Sequence, residues 1–111
     1  MTGDARTKAV VFEVVDRSTT ILRITGDLDA VSVSEAAPLL MQFRHAPSAH
    51  LHIDATGSGF IDSTGLSALA MVADAVRRRG GEVTSTASER AARLIELCGL
   101  TSLVGYTPTP I

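Results

Sequence analysis

The chain has 111 residues, 45% apolar and 20% charged, with a formal net charge of −2, enough for one domain with one hydrophobic core. The slightly acidic balance argues against direct nucleic-acid binding, and no stretch approaches the roughly 20 apolar residues of a membrane helix. The one cysteine, Cys98, cannot form an internal disulfide, and the polar start Met1–Arg6 lacks a signal-peptide core, so the expected compartment is the cytoplasm.

Lys8 to Gly26 reads as a hairpin. Val11, Glu13 and Val15 alternate with Val10, Phe12 and Val14, a strand pattern rich in β-branched residues. Asp16-Arg17-Ser18 supplies turn chemistry, and Thr20 to Thr25 forms a second strand that Gly26 ends. A helix follows, with Ser32 and Glu35 spaced as a capping box and Val33, Ala37, Leu40 and Met41 recurring at helical spacing. Pro38 is expected to bend it or displace its start.

Leu51 and Ile53 alternate with His50, His52 and Asp54, which predicts a strand with one buried and one wet face. Gly57-Ser58-Gly59 reads as a break, with Phe60-Ile61 a short apolar return. Leu66, Leu69, Ala70, Ala73 and Val76 then trace one helical stripe, ended by Arg77 to Arg79 and the cap Gly80. A short strand is expected from Glu82 to Ser85. Ala91, Leu94, Ile95 and Cys98 mark a third helix, with Ser88 or Thr86 as its cap, Gly99 at its end and Cys98 as a small buried hydrophobe. Hairpin, helix, strand, helix, strand, helix gives an α/β domain with a mixed sheet. It is expected to span 1–111, with its core at about 8–106 and loose termini at 1–7 and 107–111.

Enzyme signatures are incomplete. Gly57, Gly59 and Asp62 imitate the opening of a dinucleotide fingerprint without its third glycine, and no lysine stands where a phosphate-binding loop needs one. No Gly-x-Ser-x-Gly elbow occurs, so hydrolysis by Ser63 and a histidine ranks last. His50 and His52 share a strand face, but with no cysteine or carboxylate constellation the expectation is a solvated face and no metal. Catalytic residues and cofactors are therefore expected to be absent.

One segment carries more information: Phe60-Ile61-Asp62-Ser63-Thr64-Gly65-Leu66. An apolar strand end runs into Asp62 and Ser63 and a helix begins, so side chains there point outward beside amides of partial positive charge. A phosphate on Ser63 would add about −1.5 to −2 charges and three strong acceptors. The plainer alternative is that Asp62 or Ser63 only caps the helix.

Ile53-Asp54, Gly57, the Phe60–Leu66 segment, Leu69, Arg79-Gly80-Gly81, Arg93-Leu94-Ile95-Glu96 and Gly99-Leu100 together resemble the STAS domain family of sulphate transporters and anti-sigma factor antagonists. Gly26-Asp27-Leu28-Asp29 is similar to the family's Gly-Glu-Leu-Asp at the end of the second strand. The resemblance implies a single STAS-like α/β domain, a small mixed sheet with helices packed mainly on one face. It also implies a phospho-regulated partner switch that controls transcription in a bacterium. Ser63 maps onto the phosphorylated serine, and Asp29, Asp62, Ser63, Thr64 and Gly65 onto the partner-binding surface. The implied partners are an anti-sigma factor that is also a serine kinase, holding ATP in its own fold, and a phosphatase. The chain itself is expected to be a monomer or weak dimer. Its alternatives within the family are a subunit of a lipid or anion transport complex and a metabolite-sensing module without a kinase.

Overall fold

A computed structural model describes residues 10–16, 18–45 and 49–107. Among them the elements run β1 (Val10–Val14), β2 (Thr19–Leu28), α1 (Ala30–His45), β3 (His50–Ile61), α2 (Ser63–Arg78), β4 (Glu82–Ala87), α3 (Glu89–Leu97) and α4 (Thr101–Val104). The sheet order is β1-β2-β3-β4, with β1 antiparallel to β2 and the other pairs parallel, so the sheet is mixed, as expected. Of the termini read from sequence as loose, 1–7 and 107–111, all but Thr107 fall outside the described residues.

The β1–β2 turn forms as its chemistry dictates. One Asp16 carboxylate oxygen accepts from the Ser18 amide at 2.8 Å, the Ser18 hydroxyl at 2.9 Å and the Thr19 amide at 2.9 Å. A short side-chain acceptor can replace a backbone turn in this way.

Two strands are longer than their glycines suggested. Gly26 does not end β2: it takes a positive φ of 81° at a register irregularity, and pairing resumes at Leu28. Gly57-Ser58-Gly59 does not break β3 either. Only Gly59 lacks room for a side chain, because the Asp27 carboxylate fills it, whereas Gly57 stands at ordinary contact distance from β2. A Cβ on Gly59 would sit 2.6 Å from an Asp27 carboxylate oxygen, and one on Gly57 3.4 Å from the Ile24 carbonyl. The strand runs on through both glycines, although its pairing with β2 shifts register on either side of them.

The start of α1 also differs from the sequence reading. Asp29, and not Ser32, holds the first turn: its carboxylate accepts from the Ser32 amide at 3.0 Å and hydroxyl at 3.1 Å. The helix therefore begins at Ala30, and Glu35 is exposed. Pro38 lies inside α1. It withholds an amide from the Ser34 carbonyl, but both residues are exposed, so water can satisfy that oxygen.

One sheet face holds the core. Leu22, Ile24, Leu51, Ile53, Ala55 and Val83 form a single buried cluster with Ala36 and Leu40 of α1, Leu66, Leu69, Val72, Ala73 and Val76 of α2, Ala91 and Ile95 of α3, and Val104 of α4. All four helices thus cover the same face. The expected core stripe of α2 holds except that Val72 is buried where Ala70 is only partly so. Cys98 is a correction: it is the exposed C-cap residue of α3, and Ala92 is buried in that helix instead. Ser88 caps α3, its hydroxyl accepting from the Ala91 amide at 3.2 Å.

The short helix α4 has no periodic signal in four residues. Arg77 holds it, donating to the Leu103 carbonyl at 2.7 Å and the Ser102 carbonyl at 2.8 Å. This arginine, at the end of α2, therefore does more than complement the helix dipole. The Ser85 hydroxyl donates to the Val104 carbonyl, so part of the polarity of β4 serves α4.

The other sheet face is polar. His50 Nε2 and His52 Nδ1 both meet the Thr84 hydroxyl, at 2.9 and 2.8 Å, and Arg23 pairs with Asp54 at 3.2 Å. No group of three or more metal-ligating side chains occurs among the described residues. Burial against the sheet lowers the His52 pKa from its ordinary value of 6.5, with Asp54 opposing the shift. The unfolded chain then takes up this proton before the folded one does. The contribution is complete above about pH 6.5 and is lost as pH falls from there through the lower folded value. Urea midpoints are expected to fall between pH 7 and 5, with His52→Gln flattening that slope; an unchanged slope would refute the assignment. Asp29 and Asp54, also held low by Ser32 and Thr56 hydrogen bonds respectively, contribute only further down, below their ordinary value of 3.8.

Candidate functional site

The C-terminal ends of the parallel strands β2 and β3 bring together the starts of α1 and α2. Asp62 joins β3 to α2 in an extended conformation, φ −96° and ψ −176°. Its amide donates to the Leu28 carbonyl at 3.1 Å, and its carbonyl accepts from the Leu66 amide at 2.9 Å. Its carboxylate accepts from the Gly65 amide at 2.9 Å. Asp62 therefore performs the whole capping task, in the geometry capping residues prefer.

That leaves Ser63 without a structural duty. It is the first helical residue and is exposed, as is Thr64. Among the described residues, no hydrogen bond is made by either hydroxyl. The two plain roles separate: Asp62 caps, and the Ser63 hydroxyl is displayed beside the first-turn amides of a 16-residue helix.

The other residues singled out from sequence fall into two groups. Asp29 sits at the start of α1, one residue from the Leu28 carbonyl that holds Asp62, so both carboxylates belong to one end of the sheet. Gly65, expected on the partner-binding surface, is buried. A Cβ there would run into the Leu28 carbonyl oxygen and lie 2.9 Å from the Leu28 Cγ. Gly65 thus seats α2 against β2 and is not displayed.

Sequence reading missed a neighbouring groove of about 590 Å³, lined by Phe60, Ile61, Glu89, Arg90, Arg93, Leu94 and Leu97. Phe60 is 52% exposed and Leu97 76% exposed, while Arg93 approaches Glu89 at 3.8 Å. The signal was present for Phe60: Ile61 is buried, so its strand neighbour must face outward. Leu94 was counted with the core but is only partly buried.

No helix among the described residues is long and apolar enough to cross a membrane.

The STAS domain family model matches residues 10–110. The chain belongs to the STAS domain family. Three solved structures share the fold. Unphosphorylated SpoIIAA, an anti-sigma factor antagonist, is 19% identical with a TM-score of 0.73, covering 90% of this chain and 89% of its own. SpoIIAA of Bacillus, a cell fate determinant, in its phosphorylated form is 18% identical with a TM-score of 0.70, covering 90% and 92%. An anti-sigma factor antagonist from Mycobacterium paratuberculosis is 24% identical with a TM-score of 0.75, covering 90% and 85%. No curated protein sequence matches the chain.

Proposed function

We propose that this protein is an anti-sigma factor antagonist whose binding to its partner is switched by phosphorylation of Ser63. One observation carries the reading: Asp62 supplies the cap of α2 and leaves the Ser63 hydroxyl exposed and unbonded among the described residues. The resemblance of Asp62-Ser63-Thr64-Gly65 to the family's phosphorylated element and the SpoIIAA-like fold support it.

Under this reading the γ-phosphoryl group of ATP passes to Ser63 Oγ, its bond to ADP breaks, and the serine proton leaves. The kinase is assigned the base as well as the ATP, because among the described residues no side chain hydrogen-bonds to the Ser63 hydroxyl and an Asp62 carboxylate oxygen already accepts from the Gly65 amide. The chain is then a substrate and binding module in the cytoplasm, not an enzyme. The unmodified protein covers its partner with Ser63, Thr64, the flanking Asp29 and Asp62, and the adjoining Phe60–Leu97 groove, whose lining carries the charges of Glu89, Arg90 and Arg93.

The test is affinity capture with the wild-type chain, followed by incubation of the captured kinase with ATP and site mapping by mass spectrometry. Phosphate is expected on Ser63 and absent from Ser63→Ala. Phosphate mainly on Thr64 or Thr107 would reject the assignment, and a permease captured in place of an anti-sigma factor would reject the function.

A further inference from the structure

The β2–β3 ladder slips next to the switch. Gly26 pairs with Ser58 and Leu28 with Ile61, so Gly59 and Phe60 on β3 stand opposite the single residue Asp27 on β2. Two residues against one is a bulge, and a bulge leaves an amide without its ladder partner. The Phe60 amide meets the Asp27 carboxylate, donating to it at 2.8 Å.

Asp27 is exposed, yet its two polar ends are engaged on two elements. Its carboxylate holds the end of β3, while its backbone carbonyl lies 2.9 Å from the Ser32 hydroxyl in the first turn of α1 and shares that single proton with the Asp29 carboxylate. The absent side chain of Gly59 is part of the same arrangement, since a Cβ there would stand 2.6 Å from that carboxylate oxygen. Leu28 continues the contact by accepting the Asp62 amide. Asp27 and Leu28 together thus hold both ends of the Phe60–Asp62 segment, the end of β3 and its junction with α2, from which the chain turns to present Ser63.

We propose that Asp27 is a positioning residue for the phosphoacceptor: through the Phe60 amide it fixes the turn from which Ser63 is displayed. The kinetic part rests on the reading of Ser63 as the acceptor. A charged acceptor makes a stronger hydrogen bond than a neutral one, and a loosened turn lets the hydroxyl leave the attack geometry. Displacements of about 1 Å are enough to slow a transfer by up to about a hundredfold. Binding through the rest of the surface is untouched, so the loss falls on kcat more than on KM.

Amide hydrogen exchange followed by NMR tests the positioning without any partner. In Asp27→Ala, exchange of the Phe60 amide is expected to accelerate by about tenfold or more, the scale of one lost hydrogen bond. Amides of Leu69, Val72 and Val76 should be unchanged. Asp27→Asn, whose amide oxygen can accept the same proton, should restore protection. Asp27→Leu, which keeps bulk without an acceptor, serves if the alanine variant does not fold. Equal Phe60 protection in wild type and Asp27→Ala, or no recovery in Asp27→Asn, overturns the proposal. With the ATP-dependent anti-sigma kinase that binds the wild-type chain, Asp27→Ala should lower kcat about tenfold with KM within about twofold, and Asp27→Asn should recover it. Unchanged kcat overturns the kinetic part. A wild-type chain that accepts no phosphate overturns the acceptor reading, and the exchange result still decides whether Asp27 holds the turn.

Discussion

Phosphorylation of Ser63 is expected to weaken partner binding by about a hundredfold or more, through charge and bulk at the contact and not through refolding. An unpaired charge in a closed interface costs several kcal/mol, and each 1.4 kcal/mol is tenfold in affinity. Within the free protein the same charge is tolerated, because it sits by the positive end of α2, where an exposed anion gains about 0.3–1 kcal/mol. The helix behind it is fixed by Leu66, Leu69, Val72, Ala73 and Val76, all buried, so a large movement would open a close-packed core. Titration calorimetry with the purified partner should show the loss for phospho-Ser63 and a smaller loss for Ser63→Asp, which carries less charge. Amide NMR shifts should change only near Ile61 to Leu69. Undiminished binding by verified phospho-Ser63, or shifts spread through the sheet, would refute the mechanism. Ser63→Ala should keep both binding and stability, since that hydroxyl makes no hydrogen bond among the described residues.

Period and turn chemistry made most of the fold legible. The apolar stripe of α2, the alternation of Leu51 and Ile53, and the Asp16 turn are local patterns with one physical reading each. Legibility failed where a neighbour from another part of the chain decides the outcome. Gly57 and Gly59 look like punctuation, and only the pairing of Gly57 and Ser58 with β2 shows that β3 runs on through them. Ser32 and Glu35 have the spacing of a capping box, but Asp29 reaches the same amide from nearer the chain start. Cys98 lies on an apolar stripe that ends one residue too early to bury it. At the site, spacing could not choose between Asp62 and Ser63 as the cap; the 2.9 Å bond from the Gly65 amide does.

Gly65→Ala is expected to destabilise the protein by about 1–3 kcal/mol, even though alanine is the better helix former by about 1 kcal/mol in a helix interior. The backbone at Gly65 is helical, so strain is not the reason. The added methyl would meet the Leu28 carbonyl oxygen, with the Leu28 Cγ at 2.9 Å. Neither can yield cheaply: the Leu28 side chain is only 1% exposed, and its carbonyl is the acceptor for the Asp62 amide. The start of α2 must move away from β2, which loosens the same bond that orients the Ser63 turn. Ser67→Ala, at an exposed position of the same helix, is the control and should be near neutral. A urea midpoint for Gly65→Ala at or above wild type would show that the contact relaxes without cost. The phosphorylation rate gives the second readout. Gly65→Ala should lose rate and stability together, whereas Ser63→Ala loses only the phosphate, so the pair separates the residue that seats the switch from the residue that carries it.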